Sequence, residues 1–340
     1  MDVRVLGREG LDWDAFVRSV DQGSPFHLTA WKRAIESTFG HRAHYLMAVR
    51  GGGVEGVLPL FEVRGLLGGR GLISMPYAVY GGICASSAGA RTALLEAVRE
   101  LAGRKRVDYV ELRHRASQEM DLPTKTLYVS FSRGLSPDHE ENLNARPRKQ
   151  RRMIRQGAKH GLRAETELRH LEAFWDIYAH SVHCLGSPVF PRKLFWRIAQ
   201  EFGKECELLT VWKEERMVAG VLSLRYEDQI LPYYAGALHD ALPLAVNDFM
   251  YWELMRQAVE MGCRIFDFGR SREGTGAYHF KRHWGFEPVP LPYQYILSEG
   301  RPIPNVSPAN PRMRLAVDLW KKVPLPITKI IGPKVTKYLP

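Results

Sequence analysis

One order of landmarks runs twice along the 340 residues, at a spacing of roughly 155 to 165. The run Trp31-Lys32-Arg33-Ala34-Ile35, read as helix, ends at Phe39-Gly40, and Trp196-Arg197-Ile198-Ala199 ends at Phe202-Gly203. A hairpin is expected after each, with Gly56-Val57-Leu58-Pro59-Leu60 matching Gly220-Val221-Leu222-Ser223-Leu224. A Pro-Tyr strand follows: Pro76-Tyr77 leads to Tyr80-Gly81, and Pro232-Tyr233-Tyr234 leads to Gly236. Next come helices over residues 92–101 and 248–261, closed by Gly103 and Gly262, with Asn247 as N-cap of the second. Each copy closes on a short strand with an acid and an arginine, Asp108-Tyr109-Val110-Glu111-Leu112-Arg113 and Ile265-Phe266-Asp267-Phe268-Gly269-Arg270. Chance supplies one such match, but several in a single order require two similar α/β units. Apolar runs such as Tyr45-Leu46-Met47-Ala48-Val49 and Leu208-Leu209-Thr210-Val211-Trp212 supply strands. The expected fold is therefore α/β (α+β): tandem units of mixed sheet flanked by helices.

Composition narrows the class. Apolar residues at 45% and charged ones at 25% suit a globular chain able to bury two cores. No apolar run approaches the roughly 18 residues that a membrane span needs. Residues 1–10 include Asp2, Arg4, Arg8 and Glu9, which is not the pattern of a signal peptide. Cys84, Cys184, Cys206 and Cys263 are too scattered for a disulfide framework or a zinc site, so a reducing cytoplasm is the expected compartment. The net charge of +11 is concentrated: residues 146–163 contribute +8 and residues 312–340 contribute +6, leaving the rest slightly acidic. Two basic patches on a near-neutral body point to a polyanionic partner.

Several landmarks carry a family resemblance. Tyr233-Tyr234-Ala235-Gly236, the segment 247–261, Phe266-Asp267-Phe268-Gly269-Arg270, Tyr278-His279-Phe280-Lys281 and Trp284-Gly285-Phe286 together resemble the second domain of the FemAB/FemX family of non-ribosomal peptidyl transferases. The chain is also similar to the branch found beside exosortase (PEP-CTERM) systems. The resemblance covers about residues 26–286. It implies two tandem GNAT (acetyltransferase)-like domains, placed at 1–135 and 136–290, with a tail over 291–340 that packs back on the first. It further implies amide formation on an amine of a cell-envelope or exopolysaccharide-related acceptor, with aminoacyl-tRNA as donor. On this resemblance Lys281 is the catalytic residue, stabilising the transferring acyl group, and Tyr233, Tyr234, Asp267, Arg270 and Phe280 bind substrate beside it. In the first domain Lys32, Tyr77 and Tyr80 fall near the family's precursor pocket. The peptidoglycan-precursor enzymes carry Arg-Gly-Pro followed by an acid. This chain has Tyr77-Ala78-Val79-Tyr80-Gly81-Gly82 and no acid there, which fits a different amine.

The residues also read independently. As a helix, residues 146–162 put Arg148, Arg151, Arg152, Arg155 and Lys159 on one face, a stripe suited to a phosphate backbone. A solvated inter-domain helix is the competing reading, and DNA is not an expected partner. In the tail Lys321, Lys322, Lys329, Lys334 and Lys337 alternate with apolar residues, a composition that suits peripheral contact with the inner face of the plasma membrane. Pro324, Pro326 and Pro333 argue against one long helix there. Asp176, His180, His183 and Cys184 share a helix face, yet no metal or cofactor is expected. Ser271-Arg272-Glu273-Gly274-Thr275-Gly276-Ala277 nearly spells an acetyl-CoA pyrophosphate loop, with Ser271 where Gln or Arg belongs, so an acyl-CoA-dependent N-acetyltransferase is the alternative enzyme. A non-catalytic RNA- or envelope-binding protein on the same fold is the alternative outside enzymes.

Overall fold

The computed structural model describes residues 1–7, 11–65, 69–116, 118, 120–304 and 311–339, the side chains of 11, 12 and 311–314 excepted. Arg312 and Arg314 of the basic tail thus lie outside the described side chains. The chain divides into two compact units: Met1–Tyr128 with Pro290–Asn305 and Lys337–Pro340, and Val129–Val289 with Val306–Thr336.

In chain order the first stretch runs β1 (Asp2–Val5), α1 (Leu11–Ser19), α2 (Thr29–Phe39), β2 (Arg42–Arg50), β3 (Gly53–Arg64), β4 (Arg70–Ile73), β5 (Cys84–Ala85), α3 (Ala88–Lys105) and β6 (Tyr109–Arg113). Then come β7 (Thr124–Gly134), α4 (His139–Asn144) and α5 (Arg148–Lys159). The second series is β8 (Leu162–Thr166), α6 (Leu171–Cys184), α7 (Arg192–Phe202), β9 (Cys206–Lys213), β10 (Arg216–Tyr226), β11 (Gln229–Ala237), α8 (Val246–Glu260) and β12 (Ile265–Arg272). It is followed by α9 (Gly276–His283), β13 (Val289–Leu297), α10 (Pro311–Trp320) and α11 (Leu325–Thr336).

The duplication read from the sequence is present in both sheets, although β5 and α9 have no counterpart. The first sheet has the order β1-β2-β3-β4-β6-β13, antiparallel except for the parallel pair β4/β6. The second runs β8-β9-β10-β11-β12 with β7 beside β12, and its parallel pair is β11/β12. Alternation along the strands buries one set of side chains under the long helix. Leu46, Leu58, Leu60, Leu72 and Val110 pack with Leu94 and Val98 of α3; Leu209, Val221, Ile230 and Phe266 pack with Met250 and Leu254 of α8.

The segment boundaries differ from those expected. β13, placed in the tail by the sequence reading, pairs antiparallel with β6 from Tyr293↔Arg113 to Leu297↔Tyr109, giving that strand a partner on its outer side. The end of β7 belongs likewise with the second unit. The tail also divides. α11 lies against α6 of the second unit, where His183 bonds the Val323 carbonyl at 2.8 Å and Lys329 pairs with Asp176 at 2.8 Å, so a full return to the first unit is corrected. Pro324 separates α10 from α11, and the two do not form one long helix.

Three local expectations are also corrected. α3 begins at Ala88, where the Ser87 side chain caps Ala90 N–H, and it continues through Gly103 to end at Arg106 in the left-handed region. α8 begins at Val246, so its N-cap is Ala245 and not Asn247. Pro76-Tyr77 is not a strand: β4 stops at Ile73, and Met75 and Tyr77 adopt φ of 63° and 61°, which end any extended run.

Candidate active site

The second unit's parallel pair is short. β11 and β12 are in register only at Gln229↔Ile265 and Ile230↔Phe266, although β11 continues to Ala237 and β12 to Arg272. Beyond Phe266 the strands part, and backbone groups of β12 lose their ladder partners on that side. Along β11 the register against β10 jumps between Leu222↔Tyr234 and Ser223↔Pro232, so Tyr233 is the extra residue of a β-bulge. A bulge re-aims side chains and often marks a site.

Lys281 sits at this opening. In a regular strand successive carbonyls point to opposite edges, but Gly269, at φ 65°, breaks the alternation. The carbonyls of Phe268, Gly269 and Arg270 all accept from Lys281 Nζ, at 2.7, 3.3 and 3.1 Å. Asp267, 1% exposed, holds the turn by accepting the Gly269 N–H at 2.8 Å. The lysine is delivered by α9, whose first turn is capped by Thr275 accepting from Tyr278 N–H. Its ammonium lies 5.7 and 5.8 Å from the ring centroids of Phe131 and Phe268. Burial pulls its pKa down to about 7; nearby Asp267 opposes the fall and Arg270 adds to it. Lys281 is thus a buried cation that titrates near neutrality, with its donors spent on backbone carbonyls in this state.

The residues singled out in the second unit fall into one neighbourhood by element. Asp267 and Arg270 lie on β12 and Phe280 on α9, its ring 6.4 Å from Phe268 and 5.6 Å from Tyr251. Tyr233 is half-buried at the bulge, whereas Tyr234 is buried among Tyr178, Phe190 and Phe195. Their two rings meet at 4.8 Å, so the bulge suspends the usual alternation here, and Tyr234 lies in the core.

The three first-unit candidates lie on α2 and in the loop between β4 and β5. Lys32 pairs with Glu36 at 2.8 Å and lies 5.8 Å from the Tyr45 ring. Tyr77 stacks on Phe39, shares a 2.7 Å bond with His41 and donates to the Lys337 carbonyl at 3.0 Å. Tyr80 is buried under the Arg115 guanidinium, 5.1 Å from its ring. The left-handed turn at Met75 and Tyr77 sends Tyr77 and Tyr80 to different neighbours.

On α5, Arg148, Arg152, Arg155 and Lys159 are exposed, while Gln150, Ile154 and Gly157 are buried toward α8. Arg151 is half-buried and its guanidinium donates to the carbonyls of Asn144 and Arg146, which reduces the stripe to four outward charges.

Sequence reasoning missed a buried polar knot behind this helix. Asp248 accepts from Gln150 Nε2 at 2.6 Å and from Trp284 Nε1 at 3.0 Å, and burial pushes its carboxyl up. Arg146, 2% exposed, reaches the Asn142 and Trp284 carbonyls over the Phe286 ring. An acid followed by Phe249 and Met250 on a core-facing helix was the available signal.

Residues 145–282 match the acetyltransferase (GNAT) domain family. Among solved structures, FemX superposes with a TM-score of 0.68 at 16% identity, over 87% of this chain and 98% of that one. L-PGS from Bacillus licheniformis gives 0.56 at 12%, over 93% and 97%. A tandem GNAT protein from the clavulanic acid biosynthesis pathway gives 0.52 at 10%, over 87% and 98%. No curated protein matches the chain. The second unit carries a GNAT acetyltransferase domain, and the chain is an acyltransferase of GNAT-like fold.

Proposed function

We propose that the chain forms an amide by moving an aminoacyl or acyl group onto an amine of a cell-envelope or exopolysaccharide-related precursor, in the manner suggested by its likeness to FemX and to the exosortase-associated branch. The observation that carries this reading is the parted β11/β12 pair with a buried, near-neutral Lys281 beside it. The amine lone pair attacks the acyl carbon and the carbonyl electrons move onto oxygen; as they return, the ester C–O or thioester C–S bond breaks and the leaving oxygen or sulfur takes up the proton that the amine sheds. Exchanging one carbonyl partner of Lys281 for the acyl oxygen puts a positive charge where the oxyanion forms. Tyr233 at the bulge orients the acyl group, Asp267 keeps the Gly269 turn in shape, and Arg270 and Phe280 line the approach. Proximity supplies the remainder of the rate, so no nucleophilic triad is needed.

The donor we favour is aminoacyl-tRNA. Arg148, Arg152, Arg155 and Lys159 are spaced along one exposed face of α5, where guanidinium forks suit phosphate. Lys32, Tyr77 and Tyr80 keep a supporting role on the acceptor side through the walls they build. Among the described residues no helix is long and apolar enough to cross a membrane. Peripheral contact with the inner membrane is proposed for the tail, where Leu315, Leu319 and Ile330 are 64–67% exposed and alternate in sequence with Lys321, Lys322 and Lys334. Lys329 takes no part, being paired with Asp176.

Melting the full chain against candidate donors tests the reading, because a ligand of the native state raises its stability. Aminoacyl-tRNA is expected to raise the midpoint, and CoA and acetyl-CoA to leave it unchanged. A rise with the CoA donors alone assigns the acyl-CoA-dependent alternative. RNA binding without transfer from any donor points to a non-catalytic module.

A further inference from the structure

The first unit contains a cavity of about 480 Å³ whose lining includes Asp21, His27, Arg91, His114, Arg115 and Gln118. Its two imidazoles are treated differently by the fold. His27 is fully engaged: one ring nitrogen meets Ser24 Oγ at 2.8 Å and the other the Gly82 carbonyl at 2.9 Å. His114 is 1% exposed, and among the described residues neither of its ring nitrogens has a hydrogen-bond partner. The Gln118 side-chain oxygen is likewise buried without a partner, while its amide donates to the Ile83 carbonyl at 3.0 Å. Leaving a polar group buried and unpaired destabilises the fold. The fold nevertheless makes room for the ring: a Cβ on Gly82 would lie 2.1 Å from His114 Nδ1.

We infer that this cavity is a binding site for a small anionic ligand, a phosphate or carboxylate compound whose charge is met by Arg91 and Arg115 and whose hydroxyl or amide pairs with His114. Burial, then the neighbouring His27 and Arg91, push the His114 pKa down to about 3, so at neutral pH its ring offers one donor and one acceptor. With both imidazoles neutral, the two arginines outweigh Asp21 and the cavity favours an anion. Its volume lies within the roughly 300–1,000 Å³ of small-molecule sites and accommodates a ligand the size of a sugar phosphate. Every residue named belongs to the first unit, and the inference does not depend on the transfer reaction assigned to Lys281.

The test is binding to the full chain of inorganic phosphate and, separately, succinate, by calorimetry and by melting against chloride at equal ionic strength. One of the two anions is expected to bind and raise the midpoint, which also tells a phosphate from a carboxylate ligand. Arg91→Ala with Arg115→Ala should weaken that binding about 10-fold or more, as should His114→Leu. Without ligand, His114→Leu should melt no lower than the parent, since it removes an unpaired buried polar group. Should His114→Leu not fold, the arginine double variant decides alone. The inference is overturned if neither anion differs from chloride, or if the double variant binds as tightly as the parent.

Discussion

After Ile73 and Glu111 the first unit's parallel strands are joined by a buried guanidinium, whereas after Ile230 and Phe266 the second unit's strands part and a lysine caps the exposed carbonyls. In the first unit Arg113, 3% exposed, donates to Glu111 at 2.7 Å and to the Met75 and Ala78 carbonyls at 3.2 and 2.9 Å. Gly81 and Gly82 return the contact by donating to the Arg113 carbonyl. The loop that would extend β4 is thus stitched across the gap. In the second unit the matching arginine, Arg270, contributes its carbonyl to Lys281 instead. One architecture therefore carries a gap bridged by a guanidinium and a gap capped by a lysine, and the difference lies in the site residues and not in the fold.

The largest stability effect expected is at the stitch. Arg113→Ala strands Glu111 and two carbonyls in the interior and should cost about 3–5 kcal/mol in urea unfolding. A negligible cost would mean that the first gap closes without the guanidinium. Gly82→Ala comes next: its Cβ would lie 2.1 Å from His114 Nδ1, and displacing that ring should cost about 1–3 kcal/mol. Either result sharpens how tightly the first gap is packed.

The two units should also respond to pH at opposite ends of the scale. Burial holds His27 and His41 to pKa values of about 4 and His114 to about 3, so these rings stay neutral when folded. In the unfolded chain they take up protons below pH 6.5, and stability is lost as pH falls from there toward 4, by up to about 1.4 kcal/mol per pH unit for each ring. Lys281 works the other way. The unfolded chain keeps its proton up to about pH 10.5, the folded chain releases it near 7, and this group's contribution to stability rises with pH across that interval. Hydrogen exchange resolved by segment checks both: protection around His27 and His114 should weaken in acid, and protection around Lys281 should rise from about pH 7 toward 10. The smallest effect is on α5, where Arg148→Glu with Arg155→Glu should change stability by less than about 0.5 kcal/mol while lowering the salt slope of tRNA binding by about 1 per contact removed.

The duplication was legible because period and turn residues repeat locally: β2/β3 and β9/β10 are hairpins wherever the glycine-led apolar runs stand. Lys281 was legible only through the Phe280-Lys281 resemblance, since its carbonyl partners on β12 depend on the left-handed Gly269. Pro76-Tyr77 and Pro232-Tyr233 look alike as strings, yet only the second is strand. The difference is made by Arg113, 37 residues beyond Pro76, and by the left-handed turn at Met75. Local propensity carries no record of such a long-range bond. His27 and His114 gave no signal for the same reason: their burial is set by the loop that Arg113 pins.

The central claim is that acyl transfer takes place at the second unit's opening with Lys281 as its charge. Its most direct test is the turnover of Lys281→Ala, measured on the donor that stabilises the parent chain, with near-ultraviolet circular dichroism to verify the fold. Turnover is expected to fall about 100-fold or more in a folded protein. Unchanged turnover in that variant would contradict the claim and remove Lys281 from the reaction.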